Sequence, residues 1–140
     1  MADPVAQELA RCAAKLRSLS QLHANSPAWG SAGDGGIATL IGLCRNEGAA
    51  ADAAWALKNI CGSDVEANEA NKDAIREAGG IPPLVALLSG GPESEAATEA
   101  VGALWNLAYN AANRDAIREA GGIPPLVVLL SGGPESGAAK

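Results

Sequence analysis

Asn71 to Thr98 reads NKDAIREAGGIPPLVALLSGGPESEAAT, and Asn113 to Lys140 reads NRDAIREAGGIPPLVVLLSGGPESGAAK. The offset, 113 − 71, is 42 residues, and only four of the 28 aligned positions differ: Lys72/Arg114, Ala86/Val128, Glu95/Gly137 and Thr98/Lys140. Self-similarity at a fixed period of this size marks an array of stacked repeats.

Each unit reads as three helices. The first runs from about Asn71 to Ala78, with Asn71 placed to cap it and Asp73 in its first turn, where a carboxylate suits the positive end of the dipole. Gly79–Gly80 stops it, because glycine accepts the left-handed C-terminal position freely. The second starts at Ile81 with Pro82 and Pro83 in its first turn, where a missing N–H costs little, and ends at Ser89–Gly90–Gly91. The third and longest is expected from Pro92 to about Tyr109.

Fainter copies lie upstream. Gly36–Leu43 matches Gly80–Leu87, and Ala56–Ile60 matches Ala103–Leu107. Leu16–Arg17–Ser18–Leu19 matches Leu104–Trp105–Asn106–Leu107 at an offset of 88 residues, and Asn25, Ala28, Trp29, Ala32 and Gly33 fall on Asn113, Ala116, Ile117, Ala120 and Gly121 at that same offset. The whole chain, 1–140, is therefore expected to be one array. Residues 1–24 hold a third helix only, 25–70 and 71–112 are units, and 113–140 supply a first and second helix.

Composition agrees. Phe is absent and aromatics are 3% of the residues, while 48% are hydrophobic, so the core has to be Ala, Leu, Ile and Val. Ala and Leu carry the least helix penalty, and few strand formers are present. A formal charge of −6 repels phosphate backbones and anionic membranes, arguing against nucleic acid and membrane partners, and attracts basic segments. Cys12, Cys44 and Cys61 are an odd, dispersed set, which fits reduced thiols in the cytoplasm or nucleus. The longest apolar run, Ile81 to Leu88, contains two prolines and is far too short to span a bilayer.

The stretches EAGGIPPLVALL (77–88), GALWNLA (102–108) and AAWALKNI (53–60) resemble the armadillo repeats found in importin-α and β-catenin. The resemblance covers nearly the whole chain. It implies an all-α fold, a right-handed α-solenoid of three-helix armadillo repeats, in which third helices stack and line a concave groove. It further implies a module that binds an extended peptide there. Importin-α-like repeats place a Trp and, four residues later, an Asn on that groove; here Trp55 and Asn59 match, and Asn106 repeats the Asn. An Asn amide can both donate to and accept from an extended main chain, and an indole face can hold the stem of a Lys or Arg. Trp105 falls one residue before its Asn, at the Lys58 position, and Ala14 and Gly102 stand where the Trp would be, so a row of lysine sandwiches is missing. The expected binding stripe is Asp52, Trp55 and Asn59 beside Glu95, Glu99, Gly102, Asn106 and Tyr109, with Trp105 alongside: acidic, with an aromatic component, and suited to a Lys/Arg-rich segment. The bland alternatives are packing for Trp55 and interhelix bonds for Asn59 and Asn106.

No catalytic or metal constellation is visible, no cofactor is expected, and the chain reads as a non-enzyme. His23, the only histidine, is expected near a helix end, eleven residues from Cys12 on that helix and too far away to act as its base. The glycine-rich Gly30 to Gly36 lacks the Lys-Ser/Thr of a phosphate loop. Cys44 and Cys61 sit at the positions of Leu88 and Ala108 and read as core fillers.

Two functional readings compete. One is a module for an extended basic peptide. The other is a structural array, recently duplicated or of consensus design, that self-associates weakly head to tail. In the second, the opening helix (Val5, Leu9, Cys12, Leu16, Leu19) completes the face of the closing unit made by Ile117, Ile123, Leu126, Val127, Leu129 and Leu130.

Overall fold

The computed structural model describes residues 4–22, 36–62 and 66–130. The helices in these residues are α1 (Pro4–Leu22), α2 (Gly36–Leu43), α3 (Ala50–Ile60), α4 (Glu66–Glu77), α5 (Ile81–Leu87, continuing into a 3-10 turn at Leu88–Gly90), α6 (Glu95–Leu107), α7 (Ala111–Glu119) and α8 (Ile123–Leu130). Among the described residues there is no strand. His23, the first helix expected around Asn25 to Gly33, the loop before Gly36 and the closing residues 131–140 lie outside the described residues.

The repeat dictates how these pack. The third helices α1, α3 and α6 lie side by side, α1 on α3 and α3 on α6. The second helices α2 and α5 back onto α3 and α6, and the first helices α4 and α7 pack on each other, with α4 also on α2 and α7 on α5. This is an α-solenoid. Fully buried Ala53, Ala56, Ala100 and Ala103 let neighbouring helices approach closely, while Leu57, Ile60, Leu104 and Leu107, also 0–1% exposed, fill the space between. Cys44 and Cys61 are buried in the same core.

Turn chemistry follows the expectation at the Gly-Gly and Pro-Pro sites. Gly79 closes α4 at φ +80, a conformation an L side chain rarely adopts, and Gly80 N–H donates to the Ile75 carbonyl at 2.8 Å. Pro82 and Pro83 then occupy the first turn of α5.

Two expectations are corrected. α4 begins at Glu66, not Asn71, because the Glu- and Ala-rich run before Asn71 continues the helix. Asn71 is mid-helix, 1% exposed, and its Nδ2 donates to the Ile60 carbonyl at 3.1 Å, closing the end of α3. In the next unit the cap is Asn110, whose Oδ1 accepts from Asn113 N–H at 2.8 Å. α6 begins at Glu95, not Pro92: Pro92 and Glu93 form a turn after Gly91, and Ser94 caps the helix, its Oγ accepting from Ala97 N–H at 3.1 Å. The apolar face of the closing unit is incompletely covered. Ile117 is 3% exposed, and Leu126 and Leu129 pack against the core, while Ile123 and Val127 remain about half exposed.

Candidate functional site

The face shared by the third helices is a ladder of charge pairs. Arg17, reaching from α1, donates to Asp52 on α3 at 2.7 Å and stands 3.5 Å from Glu95 on α6. Its guanidinium lies over the Trp55 ring, 4.3 Å from the centroid. The Asp52 hydrogen bond, aided by the nearby charges of Asp52 and Glu95, raises Arg17 above its ordinary pKa against the opposing effect of desolvation. One junction further on, Lys58 of α3 reaches Glu99 of α6 at 2.5 Å and stands 5.9 Å from the same Trp55 ring. Its stem crosses Gly102, where a Cβ would stand 2.5 Å from Lys58 Cδ, so Gly102 is the gap through which the lysine passes.

The two junctions are one device used twice. Arg17 and Lys58 share a repeat position, 41 residues apart (58 − 17), and Asp52 and Glu99 share another, 47 apart (99 − 52), the same as Lys58 to Trp105. In each junction a cation on one third helix reaches an acid on the next. The stripe expected to be acidic is thus largely neutralised from within, with only Glu95 well exposed, at 63% of its side chain.

The asparagines follow the same register. Asn106 Nδ2 donates to the Lys58 carbonyl at 3.1 Å. Asn59 makes the matching link through a hydroxyl: its Nδ2 donates to Ser20 Oγ at 3.2 Å, and that hydroxyl donates to the Arg17 carbonyl at 2.7 Å. Both amides therefore join adjacent third helices. Among the described residues neither Oδ1 and neither second amide N–H has a hydrogen-bond partner, and both residues are half-buried rather than enclosed. Asn106→Ala is expected to lower unfolding free energy by about 1 kcal/mol, the scale of a lost interhelix hydrogen bond; equilibrium urea unfolding with an unchanged slope reads this directly.

The open aromatic surface is at the C-terminal end of α6 and in the turn that follows it. Trp105 is 63% and Tyr109 65% exposed. Lys72, itself 1% exposed and bonded to Glu69 at 2.5 Å, places its ammonium 5.3 Å from the Tyr109 ring. Seven of the eight expected site residues thus belong to two adjacent helices, α3 and α6, and the eighth, Tyr109, lies in the turn just after α6. The structure brings Asp52, Trp55 and Glu95 together around Arg17, and Glu99 and Asn106 around Lys58, and leaves Trp105 and Tyr109 facing outward. Arg17 and Lys58 were missed by the sequence reading. The signal available was their shared repeat position, which in the next unit's register falls six places after the acids at 52 and 99.

Among the described residues no group of acidic, Cys or His side chains could hold a metal ion, and no helix is long and apolar enough to cross a membrane.

An α-solenoid of three-helix units with side-by-side third helices defines a class of interaction scaffolds. The armadillo/β-catenin-like repeat model matches residues 68–109 and 110–137, together half of the chain. The chain belongs to the armadillo-repeat family, whose repeats generally mediate protein–protein interaction and are typically non-enzymatic. A comparison with curated proteins finds no match.

Proposed function

We propose that the chain binds an extended, Lys/Arg-rich protein segment across α3 and α6. The observation that carries this is the spare capacity of Asn59 and Asn106: on adjacent third helices, each spends one amide N–H on its neighbour and, among the described residues, leaves its Oδ1 and second N–H without a partner, open to a main chain passing over the face. Trp105 and Tyr109 offer exposed rings to the stems of long cations, and exposed Glu95 offers a charge. Trp55 is already covered by Arg17, so a ligand cation reaches that ring only by displacing the chain's own.

Titration with a short Lys/Arg-rich peptide tests this. Binding is expected to weaken as salt rises. Asn59→Ala and Asn106→Ala are each expected to cost about 1 kcal/mol or more of affinity. Arg17→Ala is expected to raise affinity, because it frees Trp55, Asp52 and Glu95 together. Calorimetry showing that all three variants bind as the parent does places the ligand elsewhere.

A second reading, weak head-to-tail self-association, is supported by an open apolar slot beyond α6 lined by residues of α6, α7 and α8.

A further inference from the structure

In the unit formed by α4, α5 and α6, the third helix α6 lies against α3 and α5. The matching position one unit on, between α6, α7 and α8, is the apolar slot, lined by Val101, Leu104, Trp105, Ile117, Ile123 and Leu126 together with Arg114. Among the described residues no third helix follows α8. We propose that α1 of a second copy of this chain occupies the slot in the register of the repeat. The proposal rests on the head-to-tail reading above and specifies which residues meet.

The first support is that α1 is a third helix by its own contacts. It packs on α3 as α3 packs on α6, and Arg17 to Asp52 repeats as Lys58 to Glu99. A helix that already behaves as a third helix toward its successor has the shape to behave as one toward a predecessor.

The second is what α1 leaves exposed. Cys12 shares the position of Ala53 and Ala100, and Leu19 that of Ile60 and Leu107, by the offsets of 41 and 88 residues. Those four are buried to 0%, whereas Cys12 is exposed and Leu19 is 38% exposed. At these two positions, enclosed on α3 and α6, α1 is uncovered and apolar.

The third is a reversal of the charge device. At both internal junctions the preceding helix carries the cation, Arg17 or Lys58, and the following helix carries the acid, Asp52 or Glu99. On α6 the cation's position holds Trp105, and on α1 the acid's position holds Arg11, since 52 − 11 equals the same 41-residue offset. The junction between copies therefore sets an exposed indole on the preceding helix against a guanidinium on the following one, with donor and acceptor exchanged. Trp105 is 63% exposed, and among the described residues Arg11 pairs with Glu8 of its own helix, both about two-thirds exposed, so Trp105 and Arg11 are both available.

One residue opposes the fit. Lys15 takes the position of Ala56 and Ala103, both fully enclosed, and docking α1 removes its stem and part of its hydration from water. Association is accordingly weak, and the register identifies the residue that keeps it so.

The test is complementation in sedimentation velocity over a wide concentration range. The parent is expected to associate reversibly. Ile123→Asp blocks the slot and Cys12→Glu blocks α1, both at exposed positions, and helical circular dichroism confirms that each variant folds. Each alone is expected to stay monomeric, while an equimolar mixture forms a dimer and nothing larger, because one intact slot meets one intact α1. Lys15→Ala is expected to tighten association by about tenfold, and Arg11→Ala to weaken it in the parent but not in a Trp105→Ala background. A parent that stays monomeric overturns both the pairing and the head-to-tail reading. Variants that still assemble alone, or a Lys15→Ala variant that changes nothing, overturn the pairing and leave self-association through another face.

Discussion

Leu57→Ala is expected to lower the unfolding free energy by about 2–5 kcal/mol, the usual cost of a cavity left by a buried leucine. Leu57 is 0% exposed in α3, and α3 is the helix that lies between the other two third helices, packed on α1 to one side and α6 to the other. In a solenoid each unit is held by its neighbours, so a loss at the shared helix weakens both interfaces at once. A domain of this size has only about 5–15 kcal/mol in total, and the variant is expected to be partly unfolded at 37 °C. The control is Val127→Ala, at 59% exposure on α8, where a change of less than about 0.5 kcal/mol is expected. Denaturant unfolding of both variants measures the contrast. A Leu57→Ala loss below about 1 kcal/mol would show that the core relaxes around the vacancy and that α3 does not couple its neighbours.

The order of helices was legible because it is written in residues with strong local meaning. Gly79–Gly80 can end a helix and Pro82–Pro83 can begin one almost regardless of surroundings, and both do so here. Helix starts were less legible where several residues compete for a cap. Asn71, Asn110 and Asn113 are all competent, and which of them caps is decided by whether the chain before it is free to stay helical. Before Asn71 it is, so Asn71 turns inward to Ile60; before Asn113 the cap at Asn110 comes first. Pro92 lost to Ser94 for a related reason: Gly91, at φ +86, turns the chain, and only Ser94 brings an oxygen to the N–H of Ala97.

The candidate groove was legible in its residues but not in its charge. Counting Asp52, Glu95 and Glu99 along a helical stripe gives an anionic face. Arg17 and Lys58 enter that face from neighbouring helices, a fact of tertiary reach that period-3.6 patterning on one helix does not contain. Reading one unit's cations against the next unit's acids recovers it, because the repeat fixes the offset. The same comparison shows why the amide ladder differs between junctions. Asn106 touches the Lys58 carbonyl directly, while Asn59 goes through the buried Ser20 hydroxyl, a group that replaces Ala108 and Cys61 at that repeat position.

Stability is expected to fall steeply in alkali, and the two buried thiols are the reason. Burial pushes Cys44 up to about 12 from an ordinary 9.0, against a small opposing effect of Arg45. Burial does the same to Cys61, against the charge of Lys72. A group whose pKa is raised in the folded state contributes its full stability below the unfolded value, near pH 9. It loses that contribution as pH climbs toward 12, because the unfolded chain gives up protons that the folded one retains. Between pH 8 and 10 each thiol is expected to cost on the order of 1 kcal/mol, about 2–3 kcal/mol for the pair. Cys61 shares its repeat position with Ala108, so Cys61→Ala places there a residue the fold already uses at that position. The double variant Cys44→Ala/Cys61→Ala is expected to lose a little stability at neutral pH but to show a much shallower decline above pH 9. In the parent at pH 8, a thiol reagent is expected to modify exposed Cys12 promptly and the other two only as fast as the core opens. If the double variant and the parent lose stability in parallel from pH 8 to 10, the alkaline transition belongs to other groups. Prompt labelling of all three thiols in the folded chain would mean that the core around α2 and α3 opens far more readily than its burial allows.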